Sequence, residues 1–301
     1  MKELTVIGTV YVDIKGYPLG KFVPTGRNAG RVEQFHGGVG RNIAEDIANL
    51  GEKVAMVGLV DKGGIGDDVV KHLAARGVNT SYILSTVDGM GTWLAIFDEK
   101  GDVCANISKR PNLLPICDVL EAHQEQMFAD SKGLLLEMDI DEEIVAKAME
   151  LAEKHNIPVY GVISNITIAM DRMAYIKKLD CFICNRQESS VLFNIGFDTE
   201  LKFKNVLEMQ GLTAQHRDKL GLKNLIVTLD EQGSVYAGAN GEQGFCPAHK
   251  VAVVDTTGAG DSFFAGVSVG LSQGKSLPEA CELGTAMAAK VVGVAENVYL
   301  P

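Results

Sequence analysis

Six short runs of the chain are apolar almost from end to end: Leu4–Gly8, Val54–Gly58, Leu134–Glu137, Val159–Val162, Cys181–Cys184 and Leu225–Leu229. A strand that alternates apolar and polar residues can leave one face in water, whereas a continuously apolar one must be covered on both. Segments with helical periodicity lie between these runs, at Val39–Leu50, Ile65–Arg76, Asp141–His155, Met170–Lys178 and Lys202–Leu207. The alternation predicts a mainly parallel sheet with helices on both faces, a three-layer α/β/α arrangement. In such sheets a ligand binds beyond the carboxyl ends of the strands. With 301 residues, 46% of them hydrophobic, residues 1–301 can build this core as one domain.

Two regions interrupt the pattern. Residues 11–36 carry Gly, Pro and Asn before a strand-like Arg31–His36, and residues 81–110 carry strand-like Ser81–Thr86, Thr92–Phe97 and Val103–Ile107, with a hairpin turn at Glu99-Lys-Gly101. Together they predict a small β-sheet lid over the ligand edge. The alternative is an irregular extension of the main sheet.

A net charge of −11 argues against nucleic acid and anionic membrane as partners, since both require basic patches. No segment reaches the run of about 18 apolar residues that spans a membrane, and the first residues read as a strand, not a signal peptide. Six scattered cysteines suit a reducing cytoplasm. Cys181 and Cys184 form a Cys-x-x-Cys, but zinc wants a second pair. Residues three apart on a strand point to opposite faces, so both thiols are expected to be buried structural groups.

Two glycine clusters carry the candidate chemistry. Asp255-Thr-Thr-Gly-Ala-Gly-Asp261 follows an apolar, strand-like Ala252–Val254 and precedes a helical Ser262–Leu271. A strand-to-helix turn of this kind aims backbone N–H groups at one spot, backed by the helix dipole, which suits the charge of a phosphoryl group in transfer. Asp261 beside those amides can take a proton from an attacking hydroxyl, or can simply cap the helix. Gly37-Gly38-Val-Gly40-Arg41-Asn42 opens a second helix, with Gly51 as its C-terminal cap. Asn42 presents a donor and an acceptor to sugar hydroxyls. The cluster is neither a Walker A loop, which ends in Gly-Lys-Ser/Thr, nor a dinucleotide fingerprint, whose glycine spacing differs.

The two clusters, in this order, resemble the two signatures of the PfkB carbohydrate kinases, the ribokinase family, and the resemblance covers nearly the whole chain. It implies an ATP-dependent kinase of ribokinase-like fold with a small β-sheet lid, using Mg²⁺ and, in some members, K⁺. By that resemblance Asp261 is the catalytic base, and the amides of Gly258, Ala259 and Gly260 form an anion hole. Asp13, Gly37, Gly38, Arg41 and Asn42 match substrate-binding positions; Glu137, at the end of a core strand on the ligand edge, is a further candidate for the ribose or a strand-end carboxylate facing water. Asn185, Thr228, Gly233 and Asn297 match nucleotide-binding positions, with Asn185 and Glu188 acting on Mg²⁺ through water. Asp255 and Thr257 match a monovalent-cation loop. Lids of this family often pair in a homodimer.

The chain departs from the pattern at Asp230, where the nucleotide loop usually has glycine, and in Val159-Tyr-Gly-Val-Ile-Ser-Asn165, which lacks the usual Asp-Pro. A carboxylate at 230 would repel phosphates unless it turns away or meets a cation.

Gly37-Gly-Val-Gly-Arg-Asn-Ile-Ala-Glu45 resembles the version in pseudouridine kinases, with Arg41 as the distinguishing residue, on the surface or facing the ligand. The expected reaction is phosphorylation of the 5′-hydroxyl of pseudouridine, with the base near His36, Trp93 and Lys109. The alternatives are a ribokinase-type or other sugar or nucleoside kinase, and a non-catalytic ligand-binding protein of the same fold.

Overall fold

The computed structural model describes residues 2–129, 131–193, 206–294 and 296–300. In chain order the strands are β1 (Glu3–Ile7), β2 (Tyr11–Pro18), β3 (Gly30–Gly37), β4 (Val54–Asp61), β5 (Asn79–Thr86), β6 (Gly91–Phe97), β7 (Val103–Lys109), β8 (Ser131–Glu137), β9 (Val159–Val162), β10 (Cys181–Asn185), β11 (Asn224–Thr228), β12 (Gly233–Gly238) and β13 (Gln243–Pro247). The helices are α1 (Val39–Asn49), α2 (Gly64–Ala75), α3 (Ile116–Ala129), α4 (Glu142–His155), α5 (Ile166–Asp171), α6 (Met173–Ile176), α7 (Arg186–Phe193), α8 (Val206–Leu220), α9 (Ala259–Ser272) and α10 (Leu277–Val292).

The large sheet runs β13-β12-β11-β10-β9-β8-β1-β4-β5, parallel from β11 to β5 with two antiparallel strands at the other edge. Each apolar run of the sequence is one of its strands. Their side chains feed two cores, one on each face. Leu134, Leu136, Phe182 and Cys184 point into one; Leu4, Leu135, Cys181 and Ile183 point into the other, with Phe264 and Val267 of α9. Burying each such side chain contributes about 1.5–3 kcal/mol. Cys181 and Cys184 are buried and unpaired on opposite faces, as strand geometry requires.

The second sheet has four strands in the order β3-β2-β6-β7. Asp13 lies directly opposite both Phe35 and Trp93, so these three share one face. The β6–β7 hairpin turns at 98–102, with Gly101 at positive φ and Asp98 accepting the amides of Lys100 and Asp102.

Four expectations need correction. Ser81–Thr86 is not part of the small sheet: as β5 it pairs in parallel with β4, which α2 joins to it as a crossover. Ala252–Val254 is no strand. Val253 and Val254 are exposed, and the segment is held by the Val254 amide donating to the Val292 carbonyl. Met170–Lys178 is two short helices broken at Arg172, whose guanidinium turns inward to Glu142 and the Ile140 carbonyl. Of the expected helix Lys202–Leu207, residues 202–205 lie outside the described residues, and α8 begins at Val206. Among the described residues, no helix is long and apolar enough to cross a membrane.

Candidate active site

The carboxyl ends of β1 and β8, the entry to β2, and the N-termini of α1 and α9 meet at one place. β8 ends in Glu137, whose buried carboxylate accepts the Thr9 amide at 2.8 Å and the Thr9 hydroxyl at 3.0 Å. Asp139 follows two residues on and accepts the Ser164 amide and hydroxyl, both at 2.9 Å. Ser164 thus anchors the turn after β9, where the usual Asp-Pro is missing.

Helix α9 begins at Ala259, after Gly258 in a left-handed conformation with φ 81°. A Cβ at Gly258 would sit 2.0 Å from the Asn297 carbonyl oxygen, so no other residue fits that turn. The Ala259 amide donates to Thr256 O at 3.3 Å, and the first helical bond runs from the Ser262 amide to Gly258 O. Among the described residues, no backbone carbonyl takes the amides of Gly260 or Asp261. The helix dipole is therefore presented through donors with no protein partner, the arrangement that binds an anion. A Cβ on Gly260 would meet only open space.

Asp261 leaves the first turn of α9 and accepts a hydrogen bond from the Asn42 side-chain Nδ2 at 2.7 Å. It is not a helix cap: no side-chain cap bond forms at this end. Burial pushes its carboxyl up to about 6, with the charges of Asp13 and Asp139 adding, while Asn42 and Arg41 oppose the shift. The group is mostly ionised near neutrality and basic enough to accept a hydroxyl proton. Burial likewise raises Asp13, against the pull of Lys15 and Arg41. It raises Glu137 too, and there the nearby Asp139 adds.

At α1, Gly38 has φ 97°, and a Cβ there would collide with Thr9 O at 2.5 Å. Gly37 lies against the Asp13 carboxylate: a Cβ would come within 2.7 Å of Oδ2. Arg41 faces neither solvent nor an open site. It is 2% exposed, its Nη1 donates to Glu45 at 2.6 Å, and its Nη2 donates to the His36 carbonyl and to Asn297 Oδ1. Asn297 also donates to the His36 carbonyl at 2.9 Å. Both residues brace α1 against β3 and the C-terminal segment. Below them Asp46, whose carboxyl burial raises to about 8, accepts Ser262 Oγ at 2.6 Å and ties α1 to α9.

Asn185 and Thr228 sit side by side at the ends of β10 and β11. Asn185 Oδ1 accepts the Glu188 amide at 2.8 Å, and Glu188 accepts the Asn185 amide at 2.7 Å, a reciprocal cap that opens α7. Burial lifts the Glu188 carboxyl to about 7, and Asp139 adds to the rise. Gly233 closes the adjoining turn at φ 114°. Asp230 meets a cation within the chain, Arg186 at 3.1 Å, which removes the expected repulsion. Asp255 accepts both the amide and the hydroxyl of Thr257, and its other oxygen lies 3.6 Å from Lys15 Nζ.

Several residues at this place carried no motif: Thr9, Tyr11, Lys15, Asp139, Ser164 and Arg110, which lies 4.0 Å from Asp139. Only Asp139 had a signal, since a carboxylate two positions past Glu137 projects from the same strand end. His36 and Lys109, expected near the base, point to the other face of the small sheet and pair with Asp68 and Asp88.

A sequence profile of the pfkB family carbohydrate kinases matches residues 1–298. The chain is 31% identical over 303 residues to guanosine-inosine kinase of Exiguobacterium acetylicum, covering 100% of this chain and 98% of that protein. It is 26% identical over 276 residues to pseudouridine kinase of Escherichia coli K12, covering 88% and 82%. Among solved structures it resembles Arabidopsis thaliana ribokinase complexed with ribose and ATP, with a TM-score of 0.81 at 23% identity over 98% of this chain and 93% of that one. Profile, full-length relative and shared fold agree with the geometry, and the chain belongs to the pfkB family of carbohydrate kinases.

Proposed function

We propose that this ATP-dependent kinase phosphorylates the 5′-hydroxyl of a nucleoside. The observation that carries the reading is the face of the small sheet bearing Asp13. Phe35 and Trp93 flank Asp13 directly, Tyr11 lies one pleat away, and all four are half-buried. A free pentose needs the carboxylate alone, whereas a nucleobase is held by aromatic stacking beside it. In this reading Asp13, Asn42 and Glu137 hold the ribose hydroxyls. Asp261 takes the 5′-hydroxyl proton as the oxygen attacks the γ-phosphorus and the bond to the β–γ bridging oxygen breaks, releasing ADP, and the amides of Gly260 and Asp261 receive the charge that develops on the phosphoryl oxygens. Thr228 and Gly233 line the nucleotide strand end.

Asn185 and Glu188 would hold Mg²⁺ through water. Burial raises the Glu188 and Asp139 carboxyls, and the Asp139 charge adds at Glu188, so a cation would be favoured beside them. There Mg²⁺ would neutralise phosphate charge.

The relatives order the candidate bases. Similarity to guanosine-inosine kinase extends over the whole chain, and pseudouridine rested on Arg41, which the fold buries. Purine nucleosides come first and pseudouridine second. The enzyme works in a reducing cytoplasm, which suits its unpaired cysteines. It pairs as a homodimer through the outer face of the small sheet, where Val32, Leu94 and Ile107 lie exposed. A phosphorylation panel of guanosine, inosine, adenosine, pseudouridine, uridine, ribose and fructose tests the substrate. Nucleosides are expected to exceed free sugars in kcat/KM, and preference for ribose or fructose overturns the reading. Leu94→Glu should convert the dimer to a monomer in sedimentation.

A further inference from the structure

Lys15 stands out among the residues near Asp261 that no motif marks. It lies on β2, two residues past Asp13 and on the same face, and it is 8% exposed. Its ammonium sits 5.0 Å above the Phe35 ring and 3.6 Å from Asp255 Oδ2. Asp255 begins the segment that delivers Gly258 and the first amides of α9. The small sheet therefore places one positive charge on the loop that forms the anion site.

The family resemblance implies a monovalent cation at Asp255 and Thr257. Among the described residues, the side-chain oxygens at these two positions are already engaged and leave little for one. Asp255 Oδ1 already accepts the Thr257 amide at 2.9 Å and its hydroxyl at 2.8 Å, and Oδ2 faces Lys15. The nearby Val292 carbonyl accepts the amides of Val254 and Asp255. A potassium ion needs several free oxygens and would here stand beside an ammonium that repels it.

We propose that the Lys15 ammonium is a built-in cation for the 255–258 loop, replacing a bound monovalent ion and holding the anion-binding turn in place. The charge that a family relative would draw from solution is supplied by a side chain of the small sheet. Lys15 is a positioning residue: it acts on the phosphoryl group through Asp255 and the turn. The enzyme then requires no potassium.

The test compares wild type, Lys15→Met and Lys15→Arg in KCl and in tetramethylammonium chloride at equal ionic strength. Turnover is measured with whichever nucleoside of the panel reacts, and the melting temperature is measured without substrate. Wild type and Lys15→Arg should turn over within about twofold in the two salts and melt at the same temperature in both. Lys15→Met should lose about tenfold in tetramethylammonium, recover part of it in KCl, and melt higher in KCl. Potassium activation of the wild type overturns the proposal without any variant. So does wild-type turnover of Lys15→Met in tetramethylammonium, or a loss that KCl does not restore. The inference rests on the kinase reading but not on the nucleoside one. If no nucleoside reacts, the melting comparison still decides it.

Discussion

The two glycine turns look alike in the sequence and do opposite things in the fold. At α1 the glycines are there because protein is close: Gly38 packs on Thr9 O, a Cβ on Gly40 would fall 2.7 Å from the Gly8 backbone, and the Arg41 amide is consumed by the Thr9 carbonyl. At α9 only Gly258 is confined in this way. Gly260 faces open space, and among the described residues its amide and that of Asp261 have no backbone partner. The α1 turn is a closed joint that aims one side chain, Asn42, whereas the α9 turn is an open cradle that offers donors to a ligand. The bond between Asn42 and Asp261 joins them, so substrate and phosphate sites are set by one contact.

That contrast can be broken at four points. Replacing the base, Asp261→Asn, should lower kcat by about 10²–10⁴-fold while ATP still binds, as checked by steady-state kinetics and calorimetry. The wild-type kcat/KM should fall as pH drops through about 6, because the base works only when ionised and is lost by protonation below its raised pKa. A flat profile from pH 5 to 8 would contradict the assignment. In the open turn, Gly260→Ala should cost about ten- to a hundredfold in kcat/KM with little change in melting temperature, since the methyl enters the ligand's space and no protein atom. Across the joint, Asn42→Ala should cost about tenfold and move the acid limb to higher pH, because the lost hydrogen bond had held the Asp261 carboxyl down. In the closed turn, Gly40→Ala should destabilise by about 1–3 kcal/mol in denaturant unfolding, with near-normal kcat for the folded fraction. Equal effects of Gly260→Ala and Gly40→Ala on both measurements would erase the distinction between the turns.

Most of the large sheet was legible because its signal is local. A run such as Val159–Val162 is buried on both faces wherever it sits, and its composition says so. Ser81–Thr86 was misplaced for the complementary reason. A short alternating strand reads the same on either sheet, and only its pairing with β4 puts it on the large one. Ala252–Val254 has strand composition but no partner strand, so its valines are exposed. At the site, residues inside motifs were visible as residue types in order: Asp261, Gly258, Asn42, Asn185 and Glu188. Lys15 and Thr9 were not, since each acts through a partner far off in sequence, as Thr9 does with Glu137.

The sequence by itself determined the layered α/β core and the positions of the two glycine turns, because periodicity and backbone freedom are properties of neighbouring residues. It also named Asp261 as the group to test. Tertiary structure decided which turn is open and which is closed, that Arg41 and Asn297 brace the scaffold, and that Lys15 meets Asp255. Those outcomes depend on which surfaces approach one another, and burial, charge pairing and a raised carboxyl pKa arise only when chain segments distant in sequence share one low-dielectric space.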